Sequence, residues 1–252
     1  NVERIYTDQK YIAGVNVSKA KFSLYLVHRV ISRMLLGFAL FVFSLSGARA
    51  DDIVPHHDLK ISLFPSENRL AGIDEAGRGP LAGPVVSAAV ILPPTFSVAE
   101  ITDSKKLSAK KRNRLYEGIY DQAVSVGIGI VDAVEIDRIN ILQATLLAMS
   151  IATRNLDPQP DCLLIDGPFR ISSRHSQKPI AKGDTLSISI AAASIVAKVT
   201  RDRLMERYHE YYPQFGFCQH KGYPTRAHKA AIRQFGYCPI HRKTFRGVKE
   251  YL

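Results

Sequence analysis

Cysteine is scarce in this 252-residue chain: Cys162, Cys218 and Cys238 are the whole set, with neither a Cys-x-x-Cys pair nor zinc-finger spacing. So sparse and odd a set argues against a disulfide framework and against a cysteine-held zinc, and fits a reducing compartment. Membrane-length apolar runs are missing too; the run Leu35–Ser46 is too short for a confident span. No internal repeat is present. Acids are thin at one end: from Lys198 to Leu252 there are 12 Lys or Arg against 4 Asp or Glu, which carries most of the formal charge of +11. A basic segment of this kind suits a polyanion such as nucleic acid; a merely solvated basic face is the plain alternative. What is abundant is apolar residues, at 46%, the fraction of a folded protein.

The most informative stretch is Gly72-Ile73-Asp74-Glu75-Ala76-Gly77-Arg78-Gly79-Pro80. It sets two adjacent carboxylates at the end of an apolar run, and a Gly-Arg-Gly turn follows at once. Carboxylates are hard oxygen ligands of the kind Mg2+ or Mn2+ takes. Glycines let a ligand approach the backbone, and the arginine fork between them can grip a phosphate. A pair of acids at a strand end is more often a solvated turn. Adjacent strand residues also point to opposite faces, so Asp74 and Glu75 share a site only if the chain turns at Glu75.

Residues 1–57 differ from the rest. Arg29 and Arg33, the run Leu35–Ser46, then Ala48-Arg49-Ala50 follow the layout of a secretory signal, yet more than 30 residues precede the run and the sequence begins at Asn1. An upstream extension outside the working domain, an export or anchoring signal, and a core helix all remain open, the first being favoured. Residues 58–69 read as a polar linker, and 70–252 as the functional domain.

Within that domain, Leu70–Asp74 and Val85–Leu92 read as a strand pair, Val124–Val131 as a third strand, and Cys162–Ile165 and Pro179–Lys182 as short strands. Helices are expected over Asn140–Asn155, Ser187–Tyr211 and Thr225–Phe235, with Ser108 as a further N-cap. Strands followed by strands mixed with helices indicate a mixed α/β sheet flanked by helices. Ligands gather at strand ends in such sheets, so Asp74 and Asp166 can converge, and Lys182-Gly183-Asp184 adds a third acid after a short apolar run.

Seven motifs stand in a fixed order: Gly72–Pro80 (GIDEAGRGP), Asp103–Ser108 (DSKKLS), Asn140–Thr145 (NILQAT), Leu164–Gly167 (LIDG), Lys182–Asp184 (KGD), Ala193–Asp202 (ASIVAKVTRD) and His220–Thr225 (HKGYPT). Any one is weak. Together, over roughly Leu70 to Leu252, they closely resemble bacterial ribonuclease HII. The resemblance implies an RNase H-like α/β fold with a C-terminal helical part, and endonucleolytic cleavage of RNA in RNA–DNA hybrids, including at a single ribonucleotide embedded in duplex DNA. It implies four metal-binding and catalytic acids, Asp74, Glu75, Asp166 and Asp184, with Mg2+ or Mn2+ as cofactor. Two divalent ions about 4 Å apart can serve the attacking water and the leaving oxygen of phosphodiester hydrolysis.

The resemblance also assigns substrate contacts. Gly77, Arg78 and Gly79 would meet the 2′-hydroxyl, the group that tells RNA from DNA, and Tyr223 would pack on the next sugar. Asn140 and Gln143 share a helix face and are read as DNA-strand contacts, or Asn140 as a plain N-cap. Ser194, Lys198 and Arg201 fall along one face of the long helix; Lys105, Lys106, Ser194 and Lys198 are read as phosphate-side contacts, against the alternative of solvated faces. Two departures stand in the tail His241–Val248: Thr244 where the family often has Ser, and Gly247 where it often has Pro, which puts a tail contact with the duplex in doubt.

The expected partners are RNA–DNA hybrid and ribonucleotide-containing duplex DNA, with no obligate protein partner, a monomer, and a cytoplasmic location. The rival functions are a DNA nuclease or strand-transfer enzyme on the same fold, a non-catalytic basic nucleic-acid binder, and an exported protein.

Overall fold

The computed structural model describes residues 69–96, 101 and 107–252. The signal-like run Leu35–Ser46, most of the proposed linker, and Lys105 and Lys106 lie outside the described residues.

Strands β1 (Leu70–Ala76), β2 (Val85–Ile91), β3 (Ser125–Val131), β4 (Cys162–Asp166) and β5 (Ser176–Ile180) form one sheet in the order β3-β2-β1-β4-β5. β1 pairs antiparallel with β2 and β2 with β3, whereas β1–β4 and β4–β5 are parallel. The central strands β1 and β2 are buried along nearly their whole length. Their sequences are accordingly apolar runs rather than alternating ones.

Helices cover both faces. The α1 helix (Ala109–Gln122) and the short α2 helix (Ala133–Ile139) flank the sheet, while α3 (Ile141–Arg154) packs on β2 and β3. There Ala71, Ile73, Ala89 and Ile91 meet Met149, Ala152 and Leu156. The long α4 helix (Ile188–Tyr211) lies against β1 and β2, with Leu70, Cys162 and Leu164 around Ile190. Its first half, Ser189–Ala197, is buried all round, as an apolar-all-round helix must be. It comes so close to β1 that a Cβ on Gly72 would run into the Ser189 backbone. After α4 come the single-turn α5 (Phe217–His220) and α6 (Arg226–Phe235). The fold is the mixed α/β sheet with a C-terminal helical part expected from the sequence.

Side-chain caps start most of these helices. Ser108 accepts from Lys111 N at 3.3 Å, Asp132 from Glu135 N at 2.8 Å, Asn140 from Leu142 N and Gln143 N at 3.0 and 3.1 Å, and Thr225 from His228 N at 3.2 Å. Each such cap stabilises its helix by about 1 kcal/mol.

Three elements differ from the sequence reading. β1 runs on to Ala76, because Glu75 and Ala76 still pair with Ser87 and Val86. β5 lies at Ser176–Ile180 rather than Pro179–Lys182; it is an edge strand, where a proline is tolerated, and Lys182 leaves it with a φ of 57°. Helix α2 emerges without having been expected, whereas α1 was foreseen only by its N-cap, Ser108. α1 buries only Leu115, Tyr116 and Ile119, too few apolar residues to give a clear period.

Candidate active site

β1 and β4 run parallel side by side, with Ile73 in register with Ile165. Asp74 and Asp166 are the next residues on each strand, so they share one pleat position about one strand spacing, ~4.8 Å, apart. Both stand at the C-terminal edge of the sheet, on the side of α4. Glu75 points by alternation toward the other face. Its side chain nevertheless lines the same cleft, a cavity of about 250 Å3 bounded by Asp74, Glu75, Asp166, the Gly77-Arg78-Gly79 turn, Ser194, Lys198 and Tyr223.

The electrostatics of this cleft are unfavourable as it stands. Burial pushes the Asp74 carboxyl well above the usual carboxylate range, and the charges of Glu75 and Asp166 add to the shift. Hydrogen bonds from the Ser194 hydroxyl and the Glu75 backbone N–H oppose it, the latter at 2.7 Å. Glu75 is raised as well, chiefly by burial, with Arg78 Nη1 at 3.5 Å from its Oε1 pulling the other way. Acids this close favour the approach of further positive charge.

Asp184 sits apart from that lining. It lies on the 3-10 turn Gly183–Thr185 and is 7% exposed. The turn is tied to the site through Gly183 N–H, which donates to Asp166 Oδ1 at 2.7 Å. Among the described residues, no three His, Cys, Asp or Glu side chains already converge on one point as a finished metal cage. The carboxylates instead line a shared cleft.

The other candidate contacts divide. Ser194 and Lys198, one turn apart on α4, both line the cleft, and Lys198 Nζ is 2.6 Å from Asp202 Oδ1. Asn140 and Gln143 do not. Asn140 is the α3 cap, and Gln143 borders a separate groove of about 480 Å3 with Arg138, Arg154 and Arg170. That groove is larger, but its one carboxylate, Glu135, is held by Arg138 Nε at 2.7 Å, so the hydrolytic donor set is in the smaller cleft.

Behind the Gly-Arg-Gly turn stand two guanidiniums to which the sequence reading gave no role, although it set Arg201 on one helix face with Ser194 and Lys198. Arg201 is 1% exposed and Arg242 fully buried. Arg201 donates to the carbonyls of Pro84, Lys221 and Ala82 at 3.0, 3.0 and 3.1 Å. Arg242 donates to those of Gly83, Arg78 and Gly77 at 3.0, 3.0 and 2.6 Å. Burial lowers them to about 10 and about 9, so both stay charged at neutral pH. Gly77 has a φ of +100°, and a Cβ there would overlap Arg201, so glycine is required on both counts. The available signal was Arg201's place on the apolar stripe of α4 that includes Ala197, Leu204, Met205 and Tyr208.

Tyr223, 41% exposed, stands over the turn: a Cβ on Gly79 would be 3.6 Å from its ring. A chain of neutral histidines holds it from behind. Cys238 N–H donates to His241 Nδ1 at 3.0 Å, the two Nε2 atoms of His241 and His228 are 3.0 Å apart, and His228 Nδ1 is 2.9 Å from the Tyr223 carbonyl. Since His241 Nδ1 accepts, its Nε2 carries the proton and donates to His228, whose Nδ1–H donates to Tyr223 O. The tail is anchored too: Thr244 Oγ1 donates to Asp137 Oδ1 at 2.6 Å, and Gly247, with a φ of +104°, donates its N–H to Glu250 at 2.7 Å.

Comparison with known proteins gives the family of the chain. The family profile of Ribonuclease HII matches residues 71–248. Ribonuclease HII of Syntrophus aciditrophicus is 60% identical over 177 residues, covering 70% of this chain and 84% of that protein. The Syntrophotalea carbinolica protein of the same name is 52% identical over 208 residues, 76% of this chain and all of that one. Among solved structures, ribonuclease H2 from Pyrococcus horikoshii superposes with a TM-score of 0.62 at 26% identity, covering 73% of this chain and 96% of that one. The chain belongs to the ribonuclease HII family and is a ribonuclease H-type nuclease.

Proposed function

We propose that this endoribonuclease of RNA–DNA hybrids also cuts duplex DNA on the 5′ side of a single embedded ribonucleotide, with Asp74, Glu75, Asp166 and Asp184 as the catalytic acids. The observation that carries the reading is the junction of three carboxylates with a backbone turn and an exposed tyrosine in one cleft. The acids suit hydrolysis of a phosphodiester. The turn and the ring suit choice of a sugar bearing a 2′-hydroxyl.

The donor set fits Mg2+ or Mn2+: it is all oxygen, and the raised Asp74 carboxyl marks a place where positive charge is wanted. Asp74, Glu75 and Asp166 would hold such ions, with Asp184 completing the set from the adjoining turn. When bound, divalent ions supply charge neutralisation at the scissile phosphate and acidify the attacking water. The protein's own residues do the rest. Ser194 orients Asp74, and Arg78 and Lys198 meet phosphate oxygens and set the register of the backbone without reading bases. Gly77–Gly79 offers backbone groups to the 2′-hydroxyl, and Tyr223 stacks on the neighbouring sugar. Residues 1–57 stand outside this catalytic unit in the proposal, in keeping with a family match that starts at residue 71.

The reading is tested with a DNA duplex carrying one ribonucleotide, an all-DNA duplex of the same sequence, and Mg2+ or EDTA. The expected product is a single cut 5′ of the ribonucleotide, only with Mg2+, and none on all-DNA. Equal cleavage of both duplexes would transfer the protein to the DNA nucleases of this fold.

A further inference from the structure

Arg201 and Arg242 are the two largest side chains in the fully buried set, and neither forms an ion pair among the described residues. A buried charge without a counter-charge is costly unless its hydrogen bonds are met. Here they are met by six backbone carbonyls, and five of those belong to one segment, at Gly77, Arg78, Ala82, Gly83 and Pro84. The sixth, Lys221, stands two residues before Tyr223. Arg201 also lies 6.0 Å from the centroid of the Tyr223 ring. The pair therefore joins the Gly-Arg-Gly turn to the tyrosine loop.

The peptide groups make the consequence directional. Arg242 draws the Gly77 and Arg78 carbonyls inward. In a trans peptide the N–H opposes its carbonyl, so the N–H groups of Arg78 and Gly79 face away from the guanidinium, on the side where both residues line the cleft. Neither N–H has a protein acceptor among the described residues. A cation on the carbonyl side also strengthens the N–H as a donor, because hydrogen bonds in a chain polarise one another. A lysine could not do this, since a single ammonium cannot span three carbonyls in fixed directions as the planar fork does.

We propose that Arg201 and Arg242 are positioning residues for ribose selection, fixing the outward N–H groups of the Gly77–Gly79 turn and the Tyr223 ring at the separation that receives one 2′-hydroxyl. This rests on the reading above that turn and ring recognise that hydroxyl. The two guanidiniums do not touch the substrate; they set the geometry of the groups that do.

The test is steady-state cleavage of the single-ribonucleotide duplex in Mg2+ by wild type, Arg242→Lys and Arg201→Lys, with the all-DNA duplex as competitive inhibitor. The expected result is a KM raised about tenfold in each variant, the scale of one displaced hydrogen-bonding pair, with the KI of the all-DNA duplex unchanged. Loss of folded enzyme would lower the apparent kcat and leave KM alone, so the KM shift separates positioning from mere support. KM and KI both at wild-type values in folded variants would overturn the assignment, as would an equal rise in both. Should Arg242→Lys fail to fold, Arg201→Lys, which keeps all three Arg242 bonds, carries the test; failure of both to fold would place the pair in the framework alone and overturn the proposal. If wild type itself does not prefer the ribonucleotide duplex, the underlying reading of the turn falls first, and this inference with it.

Discussion

Two groups of charge lie on either side of the Gly77–Gly79 turn and are treated in opposite ways. In front, Asp74, Glu75 and Asp166 face one cleft, where Arg78 stands 3.5 Å from Glu75. Behind, Arg201 and Arg242 are buried with no carboxylate at ion-pair distance among the described residues, yet all their bonds go to backbone carbonyls. The negative group gathers like charges on one cleft, and the positive group is satisfied by carbonyls of the chain. A site that must admit a charged ligand keeps its repulsion; a frame that must not move gives none away. The turn between them belongs to both, with its carbonyls committed inward and its N–H groups turned to the cleft.

The largest way to break this contrast is at the acids. Asp74→Asn removes a buried charge that the fold tolerates badly, so the metal-free variant should unfold at a higher temperature than wild type. Cleavage should nevertheless fall by about a thousandfold, the scale of losing a preorganised charge at the reacting centre. Thermal unfolding in EDTA and single-turnover cleavage check the two halves; a variant both less stable and fully active would undo the contrast.

On the other side of the turn, Arg242→Met should have the reverse character. It strands the carbonyls of Gly77, Arg78 and Gly83, at a cost of about 3 kcal/mol in stability read from urea unfolding. A loss within error of zero would mean those carbonyls find other partners.

Much of the acid side was legible in the sequence and little of the basic side. Asp74 and Asp166 each close an apolar run, and two such runs side by side bring their ends together by strand pairing alone. The helix starts at Asn140, Ser187 and Thr225 were legible because capping side chains act within three residues of themselves. Arg201 and Arg242 were not, since their carbonyl partners stand more than a hundred residues away in the chain for five of the six bonds. An arginine reads as surface until tertiary packing supplies acceptors. The relation of Asp184 to the cleft was hidden for a similar reason: it depends on the turn between β5 and α4, and β5 ends two residues earlier than the sequence pattern indicates.

The smallest effect at neutral pH concerns the histidines behind Tyr223. Burial lowers His228 and His241 to about 4, from an ordinary value of 6.5. A histidine held neutral in the folded state contributes stability above its unfolded value, and that contribution is lost as pH falls from about 6.5 to about 4. Unfolding midpoints should therefore be flat above pH 7 and decline through that window, with the decline reduced in His241→Gln. An undiminished decline in that variant would assign the acid sensitivity elsewhere.

The most direct measurement of the central claim is thermal unfolding of wild type and Asp74→Asn across a Mg2+ titration at neutral pH. If the cleft is an anionic site that binds cations, Mg2+ raises the wild-type midpoint well above its EDTA value and raises that of Asp74→Asn far less, so that the order of stability in EDTA is narrowed or reversed. Equal shifts in both proteins, or none in either, would contradict the account.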